Sequence, residues 1–227
     1  LIISFSSGCQ SDQAKKQTES GTPESVSPSI NTQDTIPKIK QSTPTSPKIP
    51  LGLSAKFDIE YQGAFRALAK GESDSNYAIG TIAYNPDNNS IFMAGHDHKK
   101  AIAEFAVPDR LSFDRKVANI VKAKTIQSYV RALDKNEVGK RNNRITGMLY
   151  YKQHLLVNSE IWYDASGKNI DNLQVISNAN DLKNSAFKGM LQLEGAAKVA
   201  GYMSAIPKEW QRELGGKYIS GWASNYS

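Results

Sequence analysis

Gly80-Thr81-Ile82-Ala83-Tyr84, running on to Gly95-His96-Asp97, has an echo in Gly147-Met148-Leu149-Tyr150-Tyr151, running on to Tyr163-Asp164. Gly80 and Gly147, Tyr84 and Tyr151, and Asp97 and Asp164 are each 67 residues apart. Each copy reads as a short apolar strand, a polar turn (Asn85-Pro86-Asp87-Asn88-Asn89, then Lys152-Gln153-His154), a second strand, and a further polar turn opening on the Asp. One antiparallel unit of this size cannot bury its apolar face alone, so the repetition predicts stacked β units.

Working outward, Ile79–Tyr84 and Ser90–Ala94 form a hairpin in this reading, because Pro and Asn supply the turn dihedrals between them. Ala101–Val107 is the next strand, stopped by Pro108. Asp109–Arg144 mixes β-branched residues with helix formers and is read as strand over Val117–Val130. Arg144–Tyr150, Leu155–Val157, Ile161–Tyr163 and Leu173–Ser177 resume the β pattern, and Asp164-Ala165-Ser166-Gly167 is a turn. Phe57-Asp58-Ile59-Glu60-Tyr61 alternates apolar and acidic residues like a half-buried strand. A single short helix is expected at 207–214: Pro207 suits a first helical position, Ile206, Trp210 and Leu214 share a face, and Gly215-Gly216 stops it.

The fold class that follows is all-β, a partial β-propeller-like array of antiparallel sheets over residues 56–227. Propeller repeats run about 40–50 residues, so a period of 67 requires a long insertion, placed at Asp109–Arg144. Both ends of the sequence lead to the expectation of an N-terminal piece of a longer protein. Leu1-Ile2-Ile3-Ser4-Phe5 begins without Met or a basic stretch, and Lys217–Ala223 is a strand-like run with no partner in view.

Composition divides the 227 residues unevenly. Between Gln10 and Pro50, 24 of 41 residues are Ser, Thr, Pro or Gln, and no aromatic occurs between Phe5 and Phe57. Such a stretch buries too little apolar surface to offset the entropy of ordering, so 10–55 is read as a disordered linker. Its reach as a flexible chain would be roughly 40 Å. The one cysteine, Cys9, excludes an internal disulfide and a cysteine-based zinc cluster.

Ser6-Ser7-Gly8-Cys9, after the apolar Leu1–Phe5, resembles the lipobox of bacterial lipoproteins, with Ser6 where Leu is commonest. The resemblance implies that 1–9 is a signal-peptide remnant, that Cys9 is lipidated, and that the membrane is a partner. Gln10 and Ser11, in place of an Asp after the Cys, imply the outer membrane. Separately, Ala83-Tyr84-Asn85-Pro86, Gly95-His96-Asp97, Gly201-Tyr202-Met203 and Ile206–Trp210 resemble a family of uncharacterised exported propeller-like proteins. That likeness spans about Phe57–Ser227 and carries no catalytic residue to transfer.

Candidate sites are few. His96-Asp97-His98 offers metal-ligand chemistry, but a closed site needs about four ligands and only His154 remains among the histidines, so no metal site is assigned. Asp87-Asn88-Asn89 and Asp164–Gly167 have calcium-type oxygens without EF-hand spacing, and ordinary turn chemistry explains them. From Arg110 to Arg144 ten Lys or Arg face three acidic residues, which reads first as a solvated, charge-rich insertion and otherwise as a surface for anionic glycan, lipid headgroups or nucleic acid. Only Phe113 and Tyr129 are aromatic there, so no stacking platform for nucleic acid is read. No Gly-x-Ser-x-Gly elbow, phosphate loop or HExxH helix occurs, and no cofactor is indicated.

The repeat instead places His96, Asp97, Tyr163 and Asp164 on one rim, the expected site. The leading expectation is a lipid-anchored envelope protein presenting a binding or scaffolding domain. The alternative is an exported propeller enzyme of the sugar dehydrogenase or hydrolase type.

Overall fold

Residues 2–3, 60–193 and 199–223 are described by the computed structural model. Cys9, the 10–55 stretch and Phe57–Ile59 lie outside them, and Glu60 and Tyr61 carry no regular structure. The described residues form three antiparallel sheets with one five-residue α-helix. The first sheet is a meander of β2 (Ile82–Asn85), β3 (Ser90–Ala94), β4 (Ile102–Ala106) and β5 (Thr125–Val130). The second repeats it with β6 (Arg144–Tyr151), β7 (His154–Glu160), β8 (Leu173–Ile176) and β9 (Phe187–Leu191). The third holds β10 (Met203–Ala205) and β11 (Tyr218–Ser220), with β1 (Ile2–Ile3) paired on the far side of β11.

The sequence repeat is therefore real at the level of sheets, but its register differs. The hairpins match where Tyr84 pairs with Ile91 and Tyr150 pairs with Leu155, an offset of 66 in the first strand and 64 in the second. Tyr84 thus corresponds to Tyr150, not Tyr151. The side chains follow the same rule: Ala83 packs toward the second sheet, and Leu149, its counterpart, packs toward the third. A one-residue slip would have turned every side chain to the wrong face. The shorter second hairpin accounts for the changed offset, since it turns on Lys152 and Gln153 alone, both at positive φ (46° and 65°), the backbone of a tight two-residue turn. His154 is the first residue of β7, not part of the turn.

Further expectations are corrected. The 207–214 segment is a 3₁₀ turn, Lys208–Trp210, followed by turns. Only Ile206 of its intended apolar face is buried, while Trp210 and Leu214 are exposed, and eight residues without a buried face do not hold an α-helix. The α-helix is α1 (Glu137–Arg141), inside the stretch read as a long insertion. Finally, Ile161–Tyr163 is not a strand. β7 runs unbroken to Glu160, and the chain then leaves the sheet. Within Val117–Val130 only β5 is strand, preceded by a 3₁₀ turn at Val117–Asn119.

Apolar clusters hold the sheets together. Phe92, Ala94 and Ile102 of the first sheet meet Met148, Leu155, Val157 and Ile176 of the second, all buried. At about 1.5–3 kcal/mol for each large side chain removed from water, this cluster dominates the join. Leu156 and Leu173 pack in the opposite direction, with Met203 and Tyr218 of the third sheet against them. The other face of the first sheet, Phe105 and Tyr129, is covered by Phe65, Ala67 and Ala69. The same segment bonds to the outer side of β5 (Glu72 N to Tyr129 O, 2.9 Å), so that edge is not left open.

Polar ties supplement the cores. Glu104, fully buried, accepts hydrogen bonds from Asn85 (3.1 Å), Ser90 (2.5 Å) and Gln127 (2.6 Å). Gln127 in turn donates to Ala179 O and accepts from Leu182 N, reaching the β8–β9 connection of the second sheet. Lys135 donates to the carbonyls of Leu182, Lys183 and Ser185. Between the second and third sheets, buried Asn158 donates to Gly201 O and Ser220 Oγ, each at 2.8 Å. These bonds fix how each sheet sits on its neighbour, although the buried Asn158 Oδ1 takes no hydrogen bond among the described residues.

Candidate functional site

One edge strand of each sheet meets that of the next: β6 contacts β2 on one flank and β10 on the other. Threonines stitch them together. Thr81 Oγ1 donates to Ile145 O and Thr146 Oγ1 donates to Ala200 O, so each sheet reaches the backbone of the next. Gly147 and Gly201 pass so closely that a Cβ on Gly147 would collide with the Gly201 carbonyl. A cleft of about 280 Å³ opens where the starts of these strands converge. The first sheet lends it Thr81, the second Arg144, Glu160 and Trp162, and the third Tyr202 and Trp222.

Arg144 organises the cleft. Its Nε and Nη2 donate to the two carboxylate oxygens of Asp97 at 2.9 and 2.5 Å, a fork matched to a carboxylate. The same guanidinium lies over Trp162, Cζ 3.8 Å from the ring centroid, so the indole face and the carboxylate fix it together. Trp162 is held at its backbone by Asn143 Oδ1, which accepts from Trp162 N at 2.9 Å. Tyr202 and Trp222 leave 63% and 62% of their surface to solvent, and Trp162 leaves 38%. Three aromatic side chains thus border a cleft whose wall carries an ion-paired guanidinium.

The chain matches no protein-family model and no curated protein.

The expected rim residues fall where the connections leave the second strands, in β3–β4 and β7–β8, so Asp97 and Asp164 occupy equivalent loops. Their roles differ. Asp97 serves Arg144, whereas Asp164 accepts from Asn169 N (2.7 Å) and Ser166 Oγ (2.9 Å) within its own loop. His96 caps the 3₁₀ turn Asp97–Lys99, its Nδ1 accepting from His98 N, and packs edge-on to Tyr77. Tyr163 is exposed beside Trp162 but does not line the cleft. His96, Asp97 and His98 border a neighbouring hollow of about 480 Å³ with Tyr77. The backbone N–H of Asn76 and the Lys99 ammonium hold the Asp74 carboxyl below its ordinary value. Among the described residues no three His, Cys, Asp or Glu are grouped to hold a metal ion.

Arg144, Glu160, Trp162, Tyr202 and Trp222 were missed by reading the sequence. The available signal was slight: two of the three tryptophans follow strand ends, Trp162 after β7 and Trp222 after β11.

The basic stretch divides into two sets. Arg131, Lys140, Arg141 and Arg144 are ion-paired, and Lys135 binds carbonyls, so half of the ten cations serve the fold. Arg110, Arg115, Lys116, Lys122 and Lys124 are exposed. No helix among the described residues is long and apolar enough to cross a membrane.

Proposed function

We propose that this chain is a lipid-anchored protein of the bacterial cell envelope, attached to the outer membrane through Cys9. Its Ser/Thr/Pro/Gln-rich stretch serves as a tether for a β-propeller-like domain used in binding or scaffolding. The observation that carries the domain reading is the succession of antiparallel sheets in which β6, an edge strand of the second, lies between β2 and β10, edge strands of the first and third. Meanders laid side by side with their first strands innermost are how propeller blades surround a channel. The anchoring reading rests on the apolar Leu1–Phe5 and on Ser6-Ser7-Gly8 before Cys9. One acyl chain binds a membrane only marginally, and lipoprotein processing places several on one cysteine.

In this arrangement the exposed Arg110, Arg115, Lys116, Lys122 and Lys124 are the cations free to meet anionic glycan or headgroup surfaces. Expressed in a bacterium behind a complete signal sequence, the protein incorporates labelled palmitate and partitions into detergent, and Cys9→Ala abolishes both. Equal membrane retention of the Cys9→Ala protein would remove the anchoring claim.

A further inference from the structure

From the cleft between the starts of β2, β6 and β10 we infer a binding site for one ring of a neutral saccharide, an assignment that rests on reading the domain as a binding module. Three features of the wall point to this ligand class. Tyr202 and Trp222 line the cleft while staying largely exposed, and Trp162, with Arg144 over its ring, lines it with them. The apolar faces of a pyranose ring stack on such surfaces, which remain costly to leave in water.

The guanidinium supplies the polar half of the recognition. Two of the five N–H groups that an arginine carries bind Asp97, and the others have no acceptor among the described residues. They offer donors to sugar hydroxyls from a group that cannot rotate away, because the Asp97 fork and the Trp162 face already hold it. Its charge is compensated as well. An anionic ligand would have to compete with Asp97 for the cation, whereas a neutral polyol needs only the spare donors. A volume of about 280 Å³ suits a single ring and lies at the small end of ligand clefts.

The test uses the full chain with Cys9→Ala and Trp210→Phe, which leaves Trp162 and Trp222 as the only indole reporters. Trp210 lies outside the cleft. Cellobiose and diacetylchitobiose are titrated against the protein, beside a sulfated disaccharide and a polyproline peptide, following tryptophan emission and ligand-observed NMR. The expected result is a saturable response to a neutral disaccharide that is insensitive to salt. Tyr202→Ala and Trp222→Ala each weaken it by about tenfold or more. Both side chains are largely exposed, so these variants keep the parent's unfolding midpoint.

Saturation only by the sulfated disaccharide, only by the peptide, or by none of the probes would overturn the assignment. So would neutral binding that both variants retain. None of these results touches the anchor at Cys9 or the arrangement of the sheets, so failure of the ligand class is distinguishable from failure of the binding-domain reading.

Discussion

Arg144 joins two loops that are remote in sequence: Asp97 lies in the β3–β4 connection and Trp162 in the β7–β8 connection. Lysine cannot reproduce either contact, since an ammonium is a point charge with neither the fork nor the flat face. Arg144→Lys is therefore expected to lower stability by about 1.5–3 kcal/mol, the range for hydrogen bonds to charged groups. Chemical denaturation measures this, and a change within about 0.5 kcal/mol, the ordinary scatter for surface substitutions, would count against the clamp.

Tyr150 gives a second prediction at this scale, set by pH. Removal from water, reinforced by its hydrogen bond to Asp87 and that carboxylate's charge, pushes the phenol up to about 12. The folded state thus favours the protonated phenol. Its contribution is complete below the ordinary tyrosine value of about 10 and is lost as pH rises through about 12. Tyrosine ring-carbon NMR is expected to show Tyr150 titrating late, with Asp87→Asn bringing it back toward the ordinary value. An unchanged titration in that variant would contradict the pairing.

Among elements, the approach of β6 to the segment leading into β10 makes a sharp demand. Gly147→Ala places a methyl group against the Gly201 carbonyl, where both neighbours are backbone and cannot swing aside. The expected cost is about 1–3 kcal/mol or more. An unfolding midpoint equal to the parent's would show that the two strands do not approach as described.

This same scale explains what the sequence made legible. β3 appears at Ser90–Ala94 as read, because alternating apolar residues between turn formers define a half-buried strand locally. The register of the repeat was one residue off in the first strand, because the similarity of Tyr84 to both Tyr150 and Tyr151 cannot say which faces inward. Helix α1 carried a legible cap, since Asn136 Oδ1 accepts from Gly139 N at 2.7 Å. The partner at its other end was not legible. Lys100, 39 residues away, donates to Gly139 O at 2.7 Å and holds a helix too short to stand alone. The cleft was illegible for the same reason: Asp97 was singled out, but nothing local announces that its partner is Arg144 or that Trp222 joins them.

At the scale of the whole molecule, the account combines an anchor, a tether and a folded array of sheets. Composition separates them: 24 of the 41 residues from Gln10 to Pro50 are Ser, Thr, Pro or Gln, while the three sheets are built almost wholly from residues beyond 80. On the proposed tether reading that stretch is the one a protease reaches first, whereas sheets joined by buried contacts resist it. Limited proteolysis of palmitate-labelled membranes tests all three parts in one measurement. The account predicts that cleavage between residues 10 and 60 releases a soluble, unlabelled, resistant domain containing β2 to β11, and that the label stays in the membrane on a short peptide holding Cys9. A domain that remains membrane-bound after that cleavage, a released domain that carries the label, or first cuts within the sheets would contradict it.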